Sequence, residues 1–289
     1  MIPVILLTVS ILLSTGRNIF SKRISSYKFG SLDFFLHQSL IFLFGSISIL
    51  LFGRITLSHI APQTVLLALI YGTILLCAQW FYTAALGKGN TALCSTVYSM
   101  GFILPTVSGA LLWNEAFTPI DFIGIIFAVI ALLLSKKQDN TQNTKSLGLF
   151  FLPLLIAMLS SGGLGIIQKI QQSSEYSDER SSFLLIAFIF ATAVSLIASF
   201  IFKKAESDFR TRYSKATAAA IGLFFGCCNM LNTTLAGMLP TAVFFPTLNI
   251  GIIFLSMLCG VLISKERITK SVLLVLASGS ISIVLLNVF

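Results

Sequence analysis

The sequence predicts an all-α membrane protein of ten transmembrane helices, arranged as two inverted five-helix repeats. Three observations carry that expectation. Of 289 residues, 56% are hydrophobic and only 10% charged, whereas a typical soluble chain is about 25% charged. That much apolar surface belongs against lipid or against other buried helices. Next, apolar runs of roughly 17 to 24 residues, enough to cross a bilayer as a helix, follow one another with short polar breaks between them. Finally, residues 91–118 recur as residues 241–269. Each copy opens on Thr-Ala, carries a glycine ten residues in (Gly101, Gly251) and closes on a glutamate three residues before a threonine (Glu115 and Thr118; Glu266 and Thr269). An echo at fixed spacing marks an internal repeat.

Taken in order, the runs place helices at 2–22, 32–53, 63–86, 91–113 and 120–135, then at 146–170, 181–202, 216–237, 241–264 and 268–288. The polar break 136–145, KKQDNTQNTK, joins a first repeat, 1–135, to a second, 146–289. Neither it nor the charged break 203–215 is long enough for a folded domain outside the membrane. The halves align helix by helix. Ser14-Thr15-Gly16 faces Ser161-Gly162-Gly163, and Lys22 faces Lys169. Gly72, Cys77, Gln79, Thr83 and Gly87 face Gly222, Cys227, Asn229, Thr233 and Gly237 at an offset of 150. An odd number of helices per copy makes the second insert upside down relative to the first.

The first run reads as a retained helix, since no small-residue cleavage site follows it. All five cysteines (Cys77, Cys94, Cys227, Cys228, Cys259) lie in apolar runs, where they serve as small buried hydrophobes; no metal or other cofactor is expected. The excess of 19 Lys and Arg over 10 Asp and Glu would point to nucleic acid in a soluble chain. Here the charges sit in the breaks, so membrane lipids are the expected partner and nucleic acid is not. With Arg17 and Lys169 counted in their nearer breaks, 16 of the 19 follow odd-numbered helices. The positive-inside rule then places those breaks in the cytoplasm and both termini outside.

Ten helices in a five-plus-five repeat, with each half closing on a helix, a Glu-containing turn, a threonine and a last helix, resemble the drug/metabolite transporter superfamily. The likeness is to its EamA-type members and covers nearly the whole chain. It implies a secondary transporter in a bacterial-type plasma membrane, moving a small metabolite by alternating access. It also implies that the fourth and ninth helices line a central cavity and move during transport. Cytoplasmic termini would follow from the resemblance, against the charge count; the charge count is the expectation kept. An enzyme is not expected, because no nucleophile with a base, paired acids or metal triad falls at lipid depth.

All ten acids lie at helix ends or in breaks, which disfavours cation/proton antiport through an embedded carboxylate. The interior polar groups are neutral. Gln79 and Tyr82 are three apart on the third helix, and Asn229 and Asn232 occupy the aligned face of the eighth. In hydrocarbon such groups need partners, either one another as interhelical glue or a bound solute. The fourth helix adds Ser95, Thr96, Tyr98 and Ser99 above Pro105; the ninth adds Thr247 and Asn249 beside Pro246. Each proline bends its helix, which either frees carbonyls toward a cavity or serves packing alone.

Arg17, about fifteen residues into the first helix, either meets a substrate anion or snorkels to the interface. Lys169 reads as a snorkelling residue, and His37 and Gln38 as hydrogen-bonded interface residues. Glu115 and Glu266 read as caps of the helix that follows each, and Gly222-x-x-x-Gly226 as a close helix contact. The expected solute site is therefore Gln79, Tyr82, Tyr98, Asn229, Asn232 and Asn249 with Arg17 as anion partner, and Pro105 and Pro246 as kinks. Such a site suits an amino-acid-like or similar small polar solute. Two alternatives stay open: a choline-type quaternary ammonium caged by Trp80, Tyr82 and Tyr98, and a non-transporting membrane scaffold or receptor. The oligomeric state is left undetermined.

Overall fold

A backbone surrounded by hydrocarbon has to satisfy its N–H and C=O groups within itself, and the apolar runs of this chain do so as helices. The computed structural model describes residues 2–24, 31–55, 60–86, 97–116, 118–135, 147–201, 212–264 and 270–288. Among them lie ten helices and no strand. They are α1 (Ile2–Ile24), α2 (Ser31–Phe52), α3 (Pro62–Leu86), α4 (Val97–Leu112) and α5 (Pro119–Ser135), followed by α6 (Leu147–Ser173), α7 (Arg180–Ile201), α8 (Arg212–Met238), α9 (Thr241–Ser264) and α10 (Lys270–Val288). The connecting break 136–145 and the turn at Glu266 lie outside the described residues.

Among the described residues six helices are long and apolar enough to cross a membrane on their own: Ile2–Ser21, Asp33–Phe52, Pro62–Ala85, Leu152–Ser173, Ser177–Ile201 and Lys215–Met238. Their outward side chains are apolar too; Leu51, Phe52, Leu66, Phe200 and Ile201 are all exposed. Residues so disposed have no aqueous rationale, and the chain is an integral membrane protein.

Local sequence sets the helix ends. Pro119 occupies the first position of α5, where its missing N–H costs nothing. Thr118 and Asp121 close a reciprocal cap in which the Thr118 N–H and hydroxyl both donate to the Asp121 carboxylate at 2.8 Å, and the Asp121 N–H donates back to Thr118 Oγ1 at 3.2 Å. α4 contains a 3₁₀ turn at Met100–Phe102, just before Pro105, and ends where Asn114 takes a left-handed φ of 50°. α9 stays helical through Pro246, and α6 through Pro153, a proline the sequence reading did not single out.

The helices gather into two compact units, and each draws on both halves of the sequence. Unit 1 is Met1–Leu76 with Ile170–Thr234; unit 2 is Cys77–Lys169 with Leu235–Phe289. In unit 1, α2 packs along α7. Phe42 of α2 and Phe188 of α7 meet edge to face at 5.9 Å, and Phe225 of α8 lies 5.4 Å from Phe188. Glycines set the approach. A Cβ at Gly72 would meet the carbonyl of Ala187 at 2.8 Å and Phe190 at 2.9 Å. One at Gly222 would run into the carbonyl of Ile41 and lie 2.8 Å from Phe44 Cβ, and one at Gly226 would strike Ser48 and the carbonyl of Gly45. The pair Gly222 and Gly226 is thus a close backbone contact with α2.

Unit 2 is built around α5 lying along α10, where the Ser282 hydroxyl donates to the carbonyl of Gly124 at 2.7 Å. α9 packs on α10 and on α4. α4 meets α6 through glycines: a Cβ at Gly101 would meet the carbonyl of Met158 at 2.6 Å, and one at Gly165 would meet Pro105 at 2.9 Å.

These clearances order the effects of adding one methyl. Gly222→Ala should destabilise the protein by about 1–3 kcal/mol, because backbone of α2 has to move. Gly16→Ala, whose Cβ would meet only the Phe224 ring at an ordinary 3.5 Å, should leave stability nearly unchanged. Thermal unfolding of the purified variants in one detergent makes the comparison.

Candidate functional site

Within unit 1 three polar residues of α1 fall on one stripe. Ser10, Ser14 and Arg17 are spaced by four and three residues, so they share a face, and that face meets α8. The Ser10 hydroxyl donates to Asn232 Oδ1 at 2.5 Å, and the Ser14 hydroxyl to Cys228 Sγ at 3.3 Å. The Arg17 guanidinium carbon lies 4.0 Å from the centre of the Phe225 ring, a cation–π arrangement. Phe20 stacks on Phe224 at 5.8 Å. Rising numbers on α1 meet falling numbers on α8, so the two helices run antiparallel.

The two asparagines of α8 differ in how far they are committed. Asn229 is buried; its Oδ1 accepts from the Tyr71 hydroxyl at 2.6 Å, and its Nδ2 donates to the carbonyl of Phe225 at 2.8 Å. Asn232 is half-buried, and no described residue accepts from its Nδ2. Tyr71, which anchors Asn229, was not among the residues singled out in the sequence; its position one turn before Leu75 in an unbroken apolar run gives no local sign of a polar partner.

In unit 2, Tyr82 and Tyr98 are brought together with ring centres 4.7 Å apart and planes tilted by 44°. Tyr82 also packs with Val97 against Ala85 and Leu154. Rings this close leave no space between them for a quaternary ammonium. Trp80 is 40% exposed and two residues from Tyr82, so it lies about 200° round the helix from it. The expected three-ring cage does not form on one face of α3. Gln79 is half-buried, and its backbone carbonyl accepts from the Thr83 hydroxyl at 2.8 Å. Asn249 is half-buried and turns its Nδ2 back to the carbonyl of Phe245 at 2.8 Å. Pro105 and Pro246 are both buried. Ser95 and Thr96 lie outside the described residues.

Unit 2 also holds a buried ionic cluster. Lys169, near the end of α6, places its Nζ 2.6 Å from Glu115 Oε1. The other oxygen, Glu115 Oε2, accepts from the Thr241 N–H at 2.7 Å and from its hydroxyl at 2.6 Å. Gly109 makes room, since any side chain there would overlap Thr241. Two expectations are corrected. Lys169 does not snorkel; it is 8% exposed and ion-paired. Glu115 does bind a helix amino terminus, but that of α9 and not that of the next helix, whose cap is Thr118 and Asp121. Burial raises the pKa of Glu115, but the Lys169 and Thr241 contacts outweigh it and hold the carboxyl below its usual value. His37 and Gln38 are both buried.

Among the described residues no group of three His, Cys, Asp or Glu side chains is placed to hold a metal. No family model matches the chain, and no curated protein does. A solved structure described only as "Crystal structure of protein" has the same fold, with a TM-score of 0.76 over 99% of this chain and 96% of its own, at 14% identity. The fold is thus shared with a chain of experimentally known structure.

Glu115→Gln should cost about 2 kcal/mol or more, less than the ~3–5 kcal/mol of a fully buried pair, because Glu115 keeps 16% exposure. Replacing Lys169 by Met in the same chain should recover part of that loss. With its folded pKa depressed, Glu115 contributes stability that is present above the ordinary carboxylate value of 4.5 and is lost as pH falls through the folded value. Melting curves from pH 7 down to pH 3 should therefore fall more steeply for wild type than for Glu115→Gln. In unit 1, Asn229→Leu, which removes the acceptor of the Tyr71 hydroxyl bond, should cost about 1–3 kcal/mol, and Tyr71→Phe less; chemical or thermal unfolding checks the order.

Proposed function

We propose that the protein is a secondary transporter that moves a small polar metabolite across the membrane by alternating access. In this reading it is an EamA-type member of the drug/metabolite transporter superfamily, with all ten helices spanning and the two sequence halves inverted copies. The observation that supports it best is an exchange of contacts inside unit 1. Gly72 of α3 rests on Ala187 and Phe190 of α7, while Gly222 of α8 rests on Ile41 and Phe44 of α2. Gly72 and Gly222 are 150 residues apart; Ile41 and Ala187, like Phe44 and Phe190, are 146 apart. Each contact becomes the other when the halves are swapped.

Phe42 and Phe188 share the same 146-residue offset and touch each other, as residues on a two-fold axis do. Ser46 and Thr192 share it as well, and each bonds back to the carbonyl four residues earlier, that of Phe42 or of Phe188. In unit 2 the principal pair, α5 with α10, is again a helix and its repeat equivalent. Helix polarity agrees: α1 and α8 run antiparallel, as an odd- and an even-numbered span must. Inverted repeats of this kind are a common framework for alternating access. In unit 1 the candidate solute contact is the Asn232 amide; unit 2, taken by itself, carries Gln79 and the Tyr82–Tyr98 pair. The basic breaks face the cytoplasm of a bacterial-type plasma membrane, and both termini lie outside.

Counterflow in liposomes tests the reading. Radiolabelled amino acids, nucleosides, sugars and choline are offered to vesicles preloaded with the same unlabelled solute. At least one should accumulate above empty vesicles, and Asn232→Ala should lower its uptake about tenfold, the worth of roughly 1.4 kcal/mol of polar contact. A correctly folded protein that moves no member of the panel would be a scaffold or receptor instead.

A further inference from the structure

Arg17 and Lys169 are both cations carried inside apolar helices, and the chain answers them differently. Lys169 is neutralised by Glu115 at 2.6 Å. Arg17 has no carboxylate partner among the described residues. Its Nε is buried without a hydrogen-bond partner, and its guanidinium carbon rests 4.0 Å over the Phe225 ring. Phe225 lies ten residues inside the Lys215–Met238 span of α8, about 15 Å from that end at ~1.5 Å per residue. The side chain packs against α8 there, while Arg17 itself stands four residues from the Ser21 end of its own span.

A charge without a carboxylate partner among apolar helices is costly, and an aromatic face offsets the cost only in part. The guanidinium is a planar fork of donors suited to a carboxylate, which it can hold through two parallel hydrogen bonds. Along the same α1–α8 seam the Asn232 amide nitrogen is a second donor that no described residue takes up. Ser14 and Asn229, by contrast, are engaged with Cys228 and Tyr71.

We propose that Arg17 is the residue that selects the solute, binding its carboxylate on the α1–α8 seam, with the Asn232 amide donating to an acceptor elsewhere on the same solute. The substrate class is then a small carboxylate, free or as part of a zwitterion. A cationic solute is disfavoured, since it would meet a like charge that nothing in the seam cancels. The assignment rests on the transport reading above, but its test is a binding measurement independent of transport.

The test uses purified full-length protein in neutral phosphatidylcholine nanodiscs, titrated with L-glutamate, succinate, inorganic phosphate and choline while its melting temperature is followed. A ligand that binds only the folded state raises that temperature. Glutamate or succinate should raise it for wild type, and choline should not. Arg17→Gln should abolish the rise. Arg17→Lys, which keeps the charge and loses the fork, should retain a rise with the apparent Kd weakened about tenfold, and it serves if Arg17→Gln fails to fold. A rise that survives Arg17→Gln unchanged overturns the proposal, as does the absence of any rise with a carboxylate. Phosphate raising the melting temperature where carboxylates do not also overturns it. Stabilisation by phosphatidylglycerol nanodiscs alone would assign Arg17 to a lipid head group and likewise overturn it. If choline or a nucleoside is carried in counterflow while no carboxylate binds, transport stands and the carboxylate assignment falls.

Discussion

In unit 1 the α2 backbone is approached so closely by α8 that the contact is glycine against carbonyl, and the surrounding packing follows from that distance. Gly222 sits on the carbonyl of Ile41 and Gly226 on that of Gly45. Within lipid there is no hydrophobic gain in bringing two apolar helices together, so association depends on how tightly their surfaces fit and on the polar groups they share. With the helices held at glycine distance, Phe42, Phe188 and Phe225 close round one another. Tyr71 comes within reach of Asn229, and α1 lays its serines against α8.

A second constraint is the cost of charge away from water. The Lys169–Glu115–Thr241 cluster meets it with a carboxylate that has one oxygen on the ammonium and the other on the start of α9. One acid thus answers both a cation and the positive end of a helix. At the start of α3, Glu179 performs the second role alone, accepting from the Ala61 N–H at 3.2 Å. Among the described residues Arg17 is met by a ring and by no carboxylate, and the contrast with Lys169 makes it the most informative side chain in unit 1.

The helices were legible in the sequence and their partners were not. Apolar length is a local property: the expected helix at 241–264 is α9, and that at 63–86 differs from α3 by one residue. Ends drifted where polar residues continue a helix. α6 runs on to Ser173 through Gln171 and Gln172, which bond forward to the carbonyls of Tyr176 and Ser177. α8 begins at Arg212 where the apolar run suggested 216. Of the expected site, Tyr82 and Tyr98 do meet, and Asn232 does stand beside the face that carries Arg17. Asn229 is spent on Tyr71, a residue 158 positions away that shares no motif with it.

From composition and spacing alone the chain was bound to be helical and to sit in a membrane, because a run of some twenty apolar residues can satisfy its backbone only by coiling and its surface only in lipid. Which face of each helix meets which neighbour was decided by the tertiary structure. A lysine and a glutamate 54 residues apart become a pair, and an arginine is left over an aromatic ring, only when particular glycines let particular helices close. Side-chain partnership depends on three-dimensional proximity, and a linear pattern repeated every three or four residues carries the direction of a face without the identity of what it touches.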